Sequence, residues 1–250
     1  MNLVIDIGNS RVKIGLFDNG KLLKSNAYNS FDLKLLKSIF SKNSEISGSI
    51  LCSVKKYPAA FKAFLSSHSQ FVELSAKTPV PIKIGYKTPV TLGMDRVAAV
   101  CGANSITKRG PILVINAGTC ITFDFLDGKK IYNGGSISPG IDMRYKALHT
   151  FTGSLPLVTS DMNFKKLIGT NTSESIKSGV QMGIVYEVDG IIGEYQSKYK
   201  NLTIILTGGS MPWLLKSLKS KIKAEPFLVL TGLNVILSLF ITKAFVHAAN

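Results

Sequence analysis

Cysteine, histidine, tryptophan and acidic residues are all scarce in this 250-residue chain. It has three Cys, three His and one Trp, and fifteen Asp+Glu stand against thirty Lys+Arg. Cys52, Cys101 and Cys120 are odd in number, widely spaced and form no CxxC pair. That excludes a disulfide framework and a zinc knuckle and makes a reducing, cytoplasmic setting the expectation. His68, His149 and His247 share no ligand spacing and no Ser/Asp partner pattern, so they read as core or surface histidines. Long apolar runs are missing as well. Met1–Ile5 meets Asp6 at once, which breaks a secretory core, and Asn171-Thr172-Ser173 and Asn201-Leu202-Thr203 are then chance matches to a glycosylation signal. Phe227–Ile241 is interrupted by Thr231, Gly232, Asn234 and Ser238 and falls short of the roughly 18 residues of a membrane span. It reads as a strand, Phe227–Leu230, followed by a core helix, and no membrane partner is expected.

The shortage of acid leaves a formal charge of +15. A basic face can bind nucleic acid by releasing counterions. Here the lysines are scattered (Lys34, Lys37, Lys62, Lys165, Lys198, Lys221), with no run of five basic residues and no aromatic-rich RNA-binding signature. The expectation is dispersed surface charge, no nucleic acid, and a small polyphosphate as acidic ligand. Hydrophobic residues make up 45% of the chain and charged ones 18%, a balance that excludes disorder, collagen and coiled coil.

What is present is one motif written twice. Leu3–Ile7, Val12–Phe17 and a third strand from Lys21 are joined by Gly8-Asn9-Ser10 and by Asp18-Asn19-Gly20, a hairpin signal. The pattern returns 110 residues later, as Leu113–Ala117, Gly118-Thr119-Cys120, Ile121–Phe125, the hairpin Asp127-Gly128 and Lys130–Tyr132. Asp6 aligns with Asn116, Gly8 with Gly118 and Asn9 with Thr119; such self-similarity marks a duplicated unit. The first half continues as helix Leu33–Phe40, strand Ser49–Val54, helix Pro58–Ser67 and strand Phe71–Leu74. The second continues as helices Met143–Phe151 and Ser173–Lys198, strand Thr203–Leu206 and a helix near Trp213–Lys219. Alternating strands and helices predict an α/β fold. Two such halves, over 1–108 and 109–250, resemble the ribonuclease-H-like (actin-like ATPase) architecture, each half a mixed sheet with flanking helices, an analogy to that fold that the duplication supports.

Four constellations bear chemistry. Asp6-Ile7-Gly8-Asn9-Ser10-Arg11-Val12-Lys13 is a plain strand–turn–strand or, given its echo at Asn116–Thr119, half of a paired phosphate cradle. Glycine-containing turns expose N–H groups to phosphate, and a strand-end Asp suits a hydrated Mg²⁺. Gly93-Met94-Asp95-Arg96 precedes an apolar helix and has two readings. Asp95 is either a helix-start acid that complements the dipole or a base beside an Arg96 that grips an anion two-pronged. Tyr132–Ile141, rich in Gly and Pro-Gly, reads as a close-approach loop. Thr207-Gly208-Gly209 ends a strand where nucleotides sit in open α/β sheets, and is equally an ordinary turn.

In order and spacing these pieces resemble type III pantothenate kinase over nearly the whole chain: DIGNSRVK at 6–13, Tyr86 with GMDR at 93–96, NAGTCITFDF at 116–125, YNGGSISPGI at 132–141, NTSESIKSGV at 171–180 and LTGG at 206–209. The resemblance implies ATP-dependent phosphorylation of pantothenate in a homodimer, with Mg²⁺ and a monovalent cation, K⁺ or NH₄⁺. It implies that Asp6, Ile7, Gly8, Asn9, Ser10, Arg11, Val12, Lys13 and Thr119 bind ATP. Tyr86, Gly93, Met94, Asp95, Arg96 and a partner-derived Thr172 would bind pantothenate, with Asp95 as base and Asp6 holding Mg²⁺ through water. One position departs: where the family carries a cation-binding carboxylate, this chain has Asn116. A non-catalytic accessory relative is the alternative that such a change leaves open.

Overall fold

The structure, a computed structural model, describes residues 1–107 and 109–248, and side chains as far as residue 242. Lys108, Ala249, Asn250 and the side chain of His247 lie outside the described residues. Packing divides the chain into two units: Met1–Lys108 with Lys130–Asn133 and Phe227–Asn250, and Arg109–Lys129 with Gly134–Pro226. The closing helix therefore packs with the first unit, although a single cut at 108/109 assigns it to the second half.

The first unit holds β1 (Asn2–Ile7), β2 (Val12–Asp18), β3 (Lys21–Tyr28), α1 (Leu33–Lys42), β4 (Gly48–Ser53), α2 (Ala59–His68) and β5 (Gln70–Glu73). Its sheet runs β3-β2-β1-β4-β5. The first three strands are antiparallel neighbours, and β4 and β5 join in parallel. The first hairpin is built as expected, with Asn19 and Gly20 at positive φ. β1 is an unbroken apolar run because both of its faces are covered. Leu3, Ile5 and Ile7 share one face with Val12, Ile14 and Leu16 and pack with Leu36, Phe61 and Leu65. The opposite face carries Asn2, Val4 and Asp6, in register with Phe17, Gly15 and Lys13 on β2 and Gly48, Ile50 and Cys52 on β4.

Two helices cover that second face: α3 (Met94–Ile106), and a C-terminal helix that starts at Leu228 and packs against α3, β1, β2 and β4. The strand expected at Phe227–Leu230 is absent: Leu228, Val229 and Leu230 are the buried first turn of that helix. A four-residue apolar run does not by its period distinguish strand from helix, and burial on every side decides for helix. Glycines make the packing possible. A Cβ on Gly232 would land on the Ala98 carbonyl, and one on Gly102 would land on the Leu228 carbonyl. Asn234 accepts a hydrogen bond from the Asn2 side chain at 2.9 Å.

The second unit repeats the opening with β7 (Ile112–Ala117) and β8 (Cys120–Leu126), paired antiparallel. β9 (Ile131–Pro139) follows, so the stretch expected as a loop is mostly a strand, which Gly135 lets pass directly over the Phe123 carbonyl. In the second hairpin the left-handed residue is Lys130 rather than Gly128, with Lys129 N donating to the Asp127 carboxylate at 2.9 Å. The first residues of β9, Ile131 and Tyr132, pair with a short strand β6 (Lys83–Ile84). Then come α4 (Ile141–Thr150), α5 (Thr172–Lys177), one π turn (Ser178–Met182), α6 (Gly183–Lys198), β10 (Thr203–Thr207), α7 (Met211–Ser217) and β11 (Lys223–Ala224). The C-terminal helix is α8 (Leu228–Ala248). The single helix expected at Ser173–Lys198 is thus divided. The π turn buries Gln181, whose amide takes the Tyr145 hydroxyl at 2.7 Å and bonds both backbone groups of Asp161. β10 and β11 extend the sheet in parallel from β7.

Candidate active site

The first unit gathers charge at the carboxyl end of β1. Asp6 is 7% exposed and lies directly opposite Lys13 on β2, with Cys52 on its other flank. Burial pushes its carboxyl up to about 6; Lys13 pulls it down and the Asp95 carboxylate pushes it up further. Burial and the two carboxylates Asp6 and Asp95 also push the Cys52 thiol far up. Cys52 is therefore a protonated, inert neighbour and not a nucleophile. Asp6 interacts electrostatically with Lys13, and both Asp6 and Cys52 with Asp95, although 43 to 89 positions separate the strand residues Asp6 and Cys52 from Asp95 in sequence.

Asp95 arrives there because α3 begins at Met94, with Gly93 as N-cap. A side chain on Gly93 would put its Cβ 2.7 Å from Asp95 Oδ1, so glycine leaves room for the carboxylate to turn back over the helix start. Arg96 is buried in the same turn, and its backbone N donates to Gly93 O at 3.1 Å. A helix N-terminus favours an ionised Asp95, and a half-buried carboxylate there can accept a proton. Between β1 and β2, Gly8 N donates to Arg11 O at 3.0 Å, closing a turn that leaves Asn9, Ser10 and Arg11 exposed. Ile7 and Val12 are buried and frame this turn without presenting polar atoms. Tyr86, in the connection before α3, stacks on buried Tyr132 with ring centroids 6.5 Å apart. At the carboxyl ends of β4 and β5, a cavity of about 640 Å³ is lined by Ser53, Lys55, Tyr57, Lys62 and Glu73 among others.

The second unit repeats the turn. Asn116 occupies the position of Asp6, opposite Thr122 on β8 and Thr207 on β10. Gly118 N donates to Cys120 O at 2.9 Å, and Thr119 is exposed at the tip. The turn is held from two sides. Gly140 N donates to Thr119 O at 3.1 Å, and a Cβ there would overlap the Gly118 and Thr119 carbonyls. Gly208, at φ +100, lies against Ala117, whose carbonyl takes the Ser210 N–H at 2.9 Å. The two Gly-rich stretches singled out in the sequence therefore brace this turn. Thr172 stands exposed at the start of α5, beside the N-cap Asn171.

A divalent ion needs one or two carboxylates plus water and phosphate, a set that Asp6 near Asp95 supplies. A monovalent ion accepts neutral oxygens, which Asn116 offers between two threonines. Among the described residues no group of three or more His, Cys, Asp or Glu forms a metal cage. Sequence reasoning did not assign Cys52 to the site. The register Asp6↔Cys52 is the only signal that could have found it, and register is not readable from one strand.

Residues 2–194 match the family described as type III pantothenate kinase. A protein of that name from Phocaeicola vulgatus is 43% identical over 239 residues, 95% of this chain and 98% of the relative. Among solved structures, a putative Baf family transcriptional activator from Campylobacter jejuni aligns with a TM-score of 0.60 at 22% identity, covering 96% of this chain and 99% of that one. A glucokinase from an Antarctic psychrotroph aligns with a TM-score of 0.52 at 13% identity, over 95% and 98%. Those two likenesses concern the fold alone, and they agree with the duplicated α/β expectation. With the family match spanning most of its length and a relative above 40% identity, this chain belongs to the type III pantothenate kinase family.

Proposed function

We propose that this chain transfers the γ-phosphoryl group of ATP to the primary hydroxyl of pantothenate, giving 4'-phosphopantothenate, the first step of coenzyme A synthesis. The observation that carries the reading is the cluster at the end of β1, where Asp6, Lys13 and Asp95 lie within electrostatic reach of one another. Phosphoryl transfer asks a protein mainly for positioning and charge neutralisation, and this cluster has both a metal-type carboxylate and a base-type carboxylate.

Asp95 accepts the hydroxyl proton as the phosphoryl group arrives, from its place at the N-terminus of α3. Arg96 grips the pantothenate carboxylate, supported by Tyr86, Gly93, Met94 and, from a second copy of the chain, Thr172. Gly8, Asn9, Ser10, Arg11 and Lys13 hold phosphate oxygens, flanked by Ile7 and Val12, and Thr119 does the same from the second turn. Mg²⁺, bound to ATP and met by Asp6 through water, supplies positive charge to the phosphates. A monovalent cation, K⁺ or NH₄⁺, has its protein ligand in Asn116. The accessory alternative requires loss of the base or the anchor, and both Asp95 and Arg96 are present.

A homodimer fits a second observation: Phe151 is 85% exposed and Ile168 77%, with Leu157 and Leu167 also bare in the same unit. Exposed apolar surface of this kind is a feature of contact surfaces, and Leu167 and Ile168 lie a few positions before Thr172 in sequence. A cytoplasmic setting suits the free thiols, and among the described residues no helix is long and apolar enough to cross a membrane. The test is phosphate transfer that depends on both ATP and pantothenate, with Asp95→Asn beside the natural chain. Loss of the base is expected to lower kcat by about 10²–10⁴. Natural turnover in Asp95→Asn refutes the base assignment.

A further inference from the structure

Arg144, in the first turns of α4, spends its polar atoms on one short stretch of backbone and one neighbouring helix. Its Nε donates to the Pro139 carbonyl at 2.9 Å and its Nη2 to the Ser138 hydroxyl at 2.8 Å. The same guanidinium pairs with the Glu187 carboxylate on α6. It therefore ties the last residues of β9 to α6. The next residue after Pro139 is Gly140, whose backbone is one of the two braces under the Gly118–Thr119 turn. Contact is continuous: Glu187 to Arg144, Arg144 to Pro139 O, and Gly140 N to Thr119 O.

We propose that Arg144 is a positioning residue that holds the second phosphate turn in its ATP-binding shape through Pro139 and Gly140. The proposal rests on the reading of Thr119 as an ATP contact. The opposite brace, Gly208–Ser210, is fixed by a left-handed glycine and the start of α7. The Gly140 brace sits at the start of α4, where Arg144 N donates to Gly140 O at 3.0 Å, and the side-chain hydrogen bonds of Arg144 to Ser138 and Pro139 fix the residues just before it. Global stability has other sources here. Ile141 and Tyr145 anchor α4 in the core of the second unit, so the half-buried Arg144–Glu187 pair, whose side chains retain 21% and 26% of their surface, is not what holds α4 to the fold. The contacts of Arg144 thus matter to local geometry more than to the fold. Arginine is required because only its planar fork reaches three acceptors in different directions; a lysine keeps the charge toward Glu187 but not the bonds to Pro139 and Ser138.

The experiment measures KM for ATP, KM for pantothenate, kcat and thermal midpoint in Arg144→Lys, Arg144→Gln and Thr119→Ala. A misplaced binding turn is costly even when the mutation lies outside it, so KM for ATP is expected to rise about 10-fold in both Arg144 variants. KM for pantothenate and the melting temperature should stay near natural values, a split that a merely structural role does not produce. Should Arg144→Gln fail to fold, Glu187→Gln carries the test, with a smaller shift in the same direction. If Thr119→Ala leaves KM for ATP unchanged, the ATP role of the second turn fails and the inference falls with it. If Thr119→Ala raises that KM while the Arg144 variants do not, the ATP reading stands and the positioning role of Arg144 is overturned.

Discussion

Replacing Asp6 by Asn should make this protein more stable and inactive at once, and the gain should depend on pH. The folded carboxyl titrates near 6 instead of 3.8, chiefly because burial penalises its charge. An acid whose pKa is raised by folding is held protonated in the native state. Between pH 3.8 and 6 the unfolded chain therefore carries fewer protons on this group, and stability falls as pH rises. At about 1.36 kcal/mol per pH unit, the loss is complete above pH 6 and amounts to about 3 kcal/mol. Asparagine resembles the neutral acid and avoids the loss. In metal-free buffer with chelator, the variant and the natural chain should unfold alike near pH 4. They should diverge through pH 5–6 and differ by about 3 kcal/mol at pH 8, about 6–12 °C in midpoint for a protein of this size. Urea and thermal unfolding across that range measure it. Mg²⁺ with ATP should stabilise the natural chain and not the variant, since the buried negative charge is kept for a cation to meet. A gap that does not change with pH, or a variant less stable at pH 8, refutes the reasoning.

Arg96→Lys should raise KM for pantothenate with little change in KM for ATP, because an ammonium cannot make the two-pronged contact to a carboxylate; steady-state kinetics with each substrate varied will show it. Asn116→Asp restores a full charge beside the second turn, and unit charges about 4 Å apart interact by about 1–4 kcal/mol between water and a surface dielectric. The half-saturating K⁺ concentration should fall in a titration at fixed ionic strength, and an unmoved curve places the cation elsewhere. Gly232→Ala forces a methyl group onto the Ala98 carbonyl and should cost at least the upper end of the roughly 1–3 kcal/mol typical of overpacking. Urea unfolding reads that cost, and a change under 0.5 kcal/mol, the ordinary scatter of surface substitutions, would show that α3 and α8 separate easily.

Some of this protein is decided locally, and the sequence carries it. The paired motif at Asp6 and Asn116, the Asn19-Gly20 hairpin and the start of α3 at Gly93-Met94 follow from short-range chemistry: turn residues, period-two strands and a helix start. Both candidate phosphate turns and the candidate base are legible for that reason. What depends on residues far apart was not. Whether Phe227–Leu230 is strand or helix turns on the α3 surface, where Gly102 and Gly232 admit backbone against backbone. The length of β9 and the π turn around Gln181 are likewise set by their neighbours. Asp6 reads in sequence as an ordinary strand-end acid; its raised pKa exists only because β2, β4 and α3 bury it and bring Asp95 beside it, against the downward pull of Lys13. Arg144 carries no motif at all, and only tertiary packing directs its guanidinium to the backbone that supports Thr119. Local propensities act over a few residues and are written in order along the chain, whereas desolvation and packing depend on which distant residues arrive at the same place.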